Sequence, residues 1–215
     1  MTTTRGGPAS GSADSRQTTY TTLPSPLGDL LLVGIERPDL PTGFALSGLS
    51  CMTGQPRAAR PGPTWRRAPE PFRPAATQLA EYFAGQRHTF DLPLWTGGSA
   101  FAERVWRALE TIPFGTTITY GQLAGRIGAG RSDARAVGTA VGANPLLLVR
   151  PCHRVIGADG RLRGFAAGLD RKEFLLRHEG VLGAALDLPI PPPAAPRHVP
   201  SASTPSAGTL SVSAS

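Results

Sequence analysis

Lysine, cysteine and long apolar runs are scarce in this sequence, and each scarcity excludes something. No hydrophobic stretch approaches the roughly 18–20 residues that a membrane-spanning helix requires; the longest, Leu30 to Ile35, is strand-sized. The start, Met1-Thr2-Thr3-Thr4-Arg5-Gly6-Gly7, lacks the basic residues and apolar segment of a secretory signal. A soluble, cytoplasmic chain without a membrane partner is expected. Cysteine occurs only at Cys51 and Cys152, too few for a disulfide framework or a Cys-rich zinc site. The histidines (His88, His153, His178, His198) include no helical pair at ligand spacing. No metal and no cofactor are expected. Lys172 is the sole lysine, so arginine carries almost all of the positive charge behind the net +7. That charge is uneven: residues 101–180 hold twelve cations against seven carboxylates, and residues 1–100 hold nine against seven. A basic segment suits a polyanion, but an Arg-, Ala- and Pro-rich composition also arises from genome bias, so charge alone assigns nothing.

What is present divides the 215 residues into two units with low-complexity ends. Residues 1–18 and the Pro/Ser/Ala-rich tail 186–215 bury too little apolar surface to order themselves. Residues 19–97 read as an α/β domain, a small antiparallel sheet plus a helix. Strands are predicted at Tyr20–Thr22, Leu30–Ile35 and Phe44–Cys51, and the Pro/Arg-rich stretch 53–75 reads as a loop. Leu79, Tyr82 and Phe83 share a helical face that Gly85 stops, and His88–Leu94 is a last strand. Residues 98–185 read as a mainly α, winged-helix-like domain. Ser99 caps a helix with Phe101, Val105, Trp106 and Leu109 on one face. Thr119 and Gln122 have capping-box spacing, Gly128-Ala129-Gly130 makes a turn, and Ser132 caps a helix from Asp133 to about Ala143. Two short helices around a Gly turn form a helix-turn-helix.

The second of those helices carries almost only small side chains, from Ala134 through Ala136 and Gly138 to Ala143. Small residues allow tight packing on a neighbouring helix or close approach to a groove. Base-edge readers such as Arg, Asn and Gln are nearly absent, which disfavours sequence-specific major-groove reading. Minor-groove docking with Arg135 inserted fits the composition better. Beyond it, Leu146–Val149 reads as a short buried strand that delivers Pro151-Cys152-His153-Arg154-Val155. A hairpin turning at Ala158-Asp159-Gly160 and a helix over Asp170–His178, stopped by Gly180, complete the domain. Taken alone, Cys152 is either a small buried hydrophobe or a thiol activated by nearby Arg150 and Arg154. With Glu179 at the end of the last helix, a Cys–His–Glu relay becomes available, Glu orienting His and His deprotonating Cys.

The segment Pro151-Cys152-His153-Arg154-Val155 resembles the signature of the O6-alkylguanine-DNA alkyltransferases. So, in order and spacing, do Ile112-Pro113-Phe114-Gly115 before Thr119-Tyr120, Arg135-Ala136-Val137-Gly138 before Asn144-Pro145, and Gly168-Leu169-Asp170-Arg171-Lys172 before Leu175-Leu176 and Glu179-Gly180. Ser25-Pro26-Leu27-Gly28 is similar to the family's N-terminal strand pair, so the resemblance spans about residues 20–183. It implies a single-use DNA repair protein acting on double-stranded DNA as a monomer, with O6-alkylguanine and O4-methylthymine as substrates. Cys152 is then the alkyl acceptor, His153 its base through a water molecule, and Glu179 the group that orients His153. Tyr120 donates to the departing guanine and crowds the backbone so that the base rotates out. Arg135 fills the gap in the duplex, with Thr119, Ser132, Ala134 and Ala136 against the DNA. Asn144 is the hinge behind the recognition helix. Asn144, Val155, Phe165, Ala166 and Ala167 line the substrate pocket.

Two departures from the family pattern stand out. Phe165 and Ala167 occupy positions where many relatives carry Tyr and Gly, which favours methyl over bulky adducts. The chain also shows neither the Cys-rich N-terminal module of the sensor relatives nor the zinc ligands of some eukaryotic ones. Three other functions compete. A non-catalytic alkyltransferase-like binder replaces the cysteine, whereas Cys152 is retained. A Cys–His hydrolase requires an oxyanion hole and leaves the helix-turn-helix unexplained. A transcriptional regulator requires base-reading side chains that 133–143 does not supply.

Overall fold

The computed structural model describes residues 17–55 and 58–183. Of the low-complexity segments expected at 1–18 and 186–215, residues 1–16 and all of the second lie outside the described residues; Thr18, at the end of the first, instead opens a strand. Strands β1 (Thr18–Leu23), β2 (Leu30–Glu36) and β3 (Phe44–Cys51) pair antiparallel, Thr22 opposite Leu31 and Leu30 opposite Cys51. β2 is the central strand of the three and is buried on both faces, so it reads as a continuous apolar run. The stretch 53–75 is more than a loop. Arg66–Arg67 forms β4, parallel to β1, Glu70–Phe72 makes a 3-10 turn, and α1 (Arg73–Phe83) has already begun. Pro74 sits in the first turn of α1, where its missing N–H has no partner to lose. The strand expected over His88–Leu94 shrinks to one bridge, Leu94 against Leu46. Pro93 explains this: it has no N–H to donate, and its carbonyl is taken by Leu46 N at 2.8 Å.

The second unit is built on helices α2 (Ala100–Glu110), α3 (Tyr120–Arg126), α4 (Ala134–Gly142) and α5 (Leu169–His178). Ser99 Oγ accepts from Ala102 N, and Thr119 and Gln122 complete the reciprocal capping box at α3. Ser132 does not cap α4. It lies in a 3-10 turn over Arg131–Asp133, and Asp133 spends its carboxylate on Gly130 N at 2.9 Å. α4 packs Val137, Ala140 and Val141 inward, and Trp106 Nε1 donates to Ala140 O at 2.8 Å, joining α2 to α4. The hairpin expected around Asp159 is a tight turn only. Its leading strand β6 (Val155–Ile156) pairs parallel with β5 (Ile118–Thr119) instead. One continuous core runs through both units, from Leu30, Leu32 and Leu79 to Leu109, Leu123, Leu146 and Leu175. No helix among the described residues is long and apolar enough to cross a membrane.

Candidate active site

Cys152 is presented by a turn, not by a strand end. Leu146 makes a single bridge to Leu49, after which the chain folds tightly: Arg150 N reaches Leu146 O at 3.0 Å and Cys152 N reaches Arg150 O at 2.7 Å. Leu148 stands at φ 67, a left-handed conformation that a leucine adopts only at a cost of about 1–2 kcal/mol. The side chain of Asn144 staples this turn. Its amide donates to Leu146 O and Arg150 O at 3.2 and 2.8 Å, and its oxygen accepts from Leu146 N at 3.1 Å. Asn144 thus sits between the end of α4 and the cysteine as a rigid bracket. Cys152 opens a 3-10 turn over Cys152–Arg154 and is buried.

The thiol is not acidified in the way the neighbouring arginines suggest. Burial pushes the Cys152 thiol up; a hydrogen bond from Asn144, the Lys172 charge and backbone hydrogen bonds at Cys152 and His153 draw it back only in part. Arg150 and Arg154 point elsewhere. Arg150 is held by Glu110 and Thr96 at 2.8 and 2.9 Å and lies over the Trp106 ring. Arg154 is committed to Glu179 and to Ile112 O. A thiol kept protonated in this way needs a base.

Glu179 organises that base. Its Oε1 accepts from Tyr82 Oη at 2.7 Å, His153 Nε2 at 2.8 Å and Arg154 NH2 at 2.9 Å. Its Oε2 accepts from Arg154 Nε at 2.8 Å and Gly115 N at 3.3 Å. Burial pushes the Glu179 carboxyl up, but the hydrogen bonds and charge of His153 and Arg154 outweigh it and hold the group far below the usual carboxylate range. An ionised carboxylate only accepts, so Nε2 of His153 carries the proton. Burial, with Arg154 and Lys172 nearby, pushes the imidazole's pKa down despite Glu179, so the ring is neutral. Nδ1 then bears a free lone pair, and this buried atom has no hydrogen-bond partner among the described residues. The arrangement is a neutral, oriented imidazole base next in sequence to a buried thiol.

The remaining predicted residues fall into two groups. Val155, Phe165 and Ala166 lie about the cysteine's turn, whereas Ala167 is buried with its carbonyl taken by Arg171. Val155 is buried, the Phe165 ring stands edge-on to His153 at 6.5 Å, and Ala166 shares with Asn144, Ala143 and Gly142 the wall of a cavity of about 490 Å³. Tyr120, half-buried at the start of α3, donates to Arg163 O at 3.3 Å, and burial raises its phenol. Its ring faces Gly138 of α4, where a Cβ would come within 3.8 Å. Arg135, Ala136 and Thr139 form an exposed stripe along α4, with exposed Ser132 in the turn before it, and no described residue hydrogen-bonds the Arg135 guanidinium. Ala134 and Thr119 are half-buried beside it, the Thr119 hydroxyl spent on the capping box.

Sequence reasoning missed Tyr82, Arg154, Gly115 and Lys172 as parts of the site. Tyr82 was assigned to an apolar helix face, and only its hydroxyl distinguishes it from a core Phe. Arg154 was read as a charge for the thiol. The sole lysine, Lys172, is fully buried, with Nζ donating to Val155 O and Arg163 O at 2.6 and 2.8 Å, and desolvation lowers it to about 8. Its only advance sign was its place on the inward face of α5, beside Leu175 and Leu176. Among the described residues no cluster of His, Cys, Asp and Glu could hold a metal ion.

Known proteins are similar to this chain over both halves. Residues 18–96 match the family described as 6-O-methylguanine DNA methyltransferase, ribonuclease-like domain, and residues 100–181 match its DNA binding domain. Methylated-DNA–protein-cysteine methyltransferases of Methanosarcina acetivorans and Mycolicibacterium paratuberculosis are 44% and 46% identical, covering 75% and 74% of this chain and 97% and 91% of their own. Among solved structures, Mycobacterium tuberculosis OGT in complex with DNA is similar at TM-score 0.66 and 42% identity, over 75% of this chain and 93% of that one.

Proposed function

This chain belongs to the 6-O-methylguanine DNA methyltransferase family, and from that premise we propose that it repairs alkylated DNA by moving the alkyl group from O6 of guanine, and from O4 of thymine, onto Cys152. The observation that carries the assignment is the free Nδ1 lone pair of a neutral His153, fixed by Glu179 next to a buried thiol. A base inside a duplex cannot present its alkyl group to a buried sulfur, so the nucleotide must rotate out. The small-residue stripe of α4 lets the helix approach the minor groove closely, and Arg135 is free to fill the stack. Tyr120, at the start of α3 and in contact range of α4, stands where the rotated nucleotide passes.

The chemistry balances without a cofactor. The thiol proton passes to His153 Nδ1 through a bridging water, leaving a thiolate. The sulfur attacks the alkyl carbon in line, the S–C bond forms, and the C–O electron pair returns to guanine. Tyr120 supplies the proton that the departing base takes up and regains one through solvent as the His153 imidazolium releases the thiol's, so thiol and alkylguanine become thioether and guanine with no net proton change. The imidazolium that forms is stabilised by Glu179, whose negative charge is already in place. A thioether does not release its alkyl group under these conditions, so each molecule, acting as a monomer on double-stranded DNA in the cytoplasm, works once.

A peptide mass spectrum tests the assignment. After incubation with a duplex containing O6-methylguanine, one added methyl group is expected on the peptide carrying Cys152. A methyl group on Cys51 instead, or an intact lesion under conditions where the protein is bound to the duplex, refutes it.

A further inference from the structure

The pocket segment 163–168 is fastened at both ends by consecutive cations of α5. At the inner end, Lys172 Nζ and Tyr120 Oη both donate to Arg163 O, and Lys172 also grips Val155 O beside the cysteine's turn. At the outer end, Arg171 NH1 donates to Ala167 O at 2.8 Å. Gly164 and Gly168 flank the segment at φ 27 and φ 94; the latter, with ψ 150, is open only to glycine. The segment is therefore a flap with two flexible joints and a clamp at each end.

The outer clamp does not belong to the second unit alone. Arg171 Nε donates to Leu27 O at 2.8 Å and NH2 to Thr53 Oγ1 at 3.2 Å, both on loops of the first unit. Those loops are shaped around the guanidinium. A Cβ on Gly54 would lie 2.6 Å from NH1, and one on Gly28 would lie 3.8 Å from NH2, both glycines holding positive φ. Pro26, Leu27, Gly54, Ala167 and Phe174 wall the same cleft. With each of its three guanidinium nitrogens donating to an acceptor in a planar fork, Arg171 transmits the position of the first unit's loops to Ala167.

We propose that Arg171 is a specificity-determining positioning residue: by tying Ala167 to the 27 and 53–54 loops it holds the flap against Cys152 and restricts how large an alkyl group the site accepts. This rests on the reading of Cys152 as acceptor and of 163–168 as the pocket wall. It assigns the first unit, whose Tyr82 already braces Glu179, a part in substrate choice as well.

The test is the ratio of transfer rates from O6-benzylguanine and O6-methylguanine in duplex DNA, measured on the full chain. Arg171→Ala frees the flap, and the benzyl-to-methyl ratio is expected to rise about fivefold or more, the equivalent of losing one good hydrogen bond. Gly54→Ala, which displaces the guanidinium without removing it, and Thr53→Val, which removes one tie, are expected to move the ratio the same way by smaller amounts. Arg171→Lys, which cannot bridge three acceptors, should not restore it. Loss of stability alone lowers both rates together and leaves the ratio unchanged. An unchanged or lowered ratio in folded Arg171→Ala overturns the proposal; if that variant does not fold, the ratios of Gly54→Ala and Thr53→Val decide in its place. Failure of the unaltered protein to methylate Cys152 is a separate result, and it refutes the acceptor reading rather than the clamp.

Discussion

Replacing Tyr82 by Phe removes one oxygen atom and preserves the ring that packs against Phe83, Phe90 and Phe114. The lost hydroxyl donates to Glu179 Oε1 at 2.7 Å from a fully buried position. A hydrogen bond to a charged group contributes roughly 1.5–3 kcal/mol. Four donor contacts remain on the carboxylate, from His153, Gly115 and twice from Arg154, so the lower half of that range, about 1.5–2 kcal/mol, is expected. The pH dependence identifies the cause. Glu179 is held below its unfolded value, so its contribution is complete above the unfolded pKa, around 4.3, and is lost as pH falls through the folded one. Removing a donor raises the folded value toward the ordinary range. Both proteins lose stability as pH falls below about 4, and the gap between Tyr82→Phe and the unaltered protein should narrow only as pH falls further, through the variant's folded value. Urea unfolding followed by tryptophan fluorescence at a series of pH values measures this. An unchanged midpoint at pH 7, or a deficit that persists undiminished in acid, refutes the account of Glu179 as a charge held by its donors.

Gly115 stands at φ +72 with its would-be Cβ 3.1 Å from Glu179 O, so Gly115→Ala should destabilise by about 1–2 kcal/mol in thermal unfolding and slow alkyl transfer as the Glu179 segment shifts. Asn144→Ala removes a hydrogen bond that lowers the Cys152 thiol. The pH profile of Cys152 alkylation by iodoacetamide should move to higher pH, and an unmoved profile would count against Asn144 as a thiolate donor. Arg135→Ala should weaken duplex binding, with a correspondingly shallower salt dependence, and slow transfer from duplex DNA far more than from a free alkylated base. Equal loss on both substrates would place Arg135 in the chemistry rather than in the duplex.

The elements that could be read in the sequence are those with local causes. β2, the capping box at Thr119 and Gln122, and the stop at Gly180 each follow from residues within a few positions of one another. The errors share a different origin. The turn at Leu146–Val149 has the composition of a strand, and what bends it is Asn144, whose three hydrogen bonds are invisible in an apolar pattern. The parallel pairing of β5 with β6 joins residues far apart in sequence, so the Gly160 turn suggested a hairpin that does not form. The relay of Cys152, His153 and Glu179 is open to the sequence from the place of Glu179 at the end of the last helix, and the structure sets His153 and Glu179 2.8 Å apart. Its electrostatics were not anticipated. The arginines flanking Cys152 look like activators in sequence, yet both are turned toward carboxylates, and burial dominates the thiol.

Glu179 follows the last residue of α5 and reaches back across 97 positions to Tyr82. The carboxylate that completes the site is thus among the last parts of the described chain to be synthesised. Until it emerges, Arg154 has no counter-charge to bury and the His153 ring has nothing to fix its orientation. A chain interrupted before residue 179 therefore lacks both the closing ion pair of its core and the means to orient its base. Truncated copies should fail in folding and chemistry together, leaving no half-finished form that binds a lesion and shields it from repair.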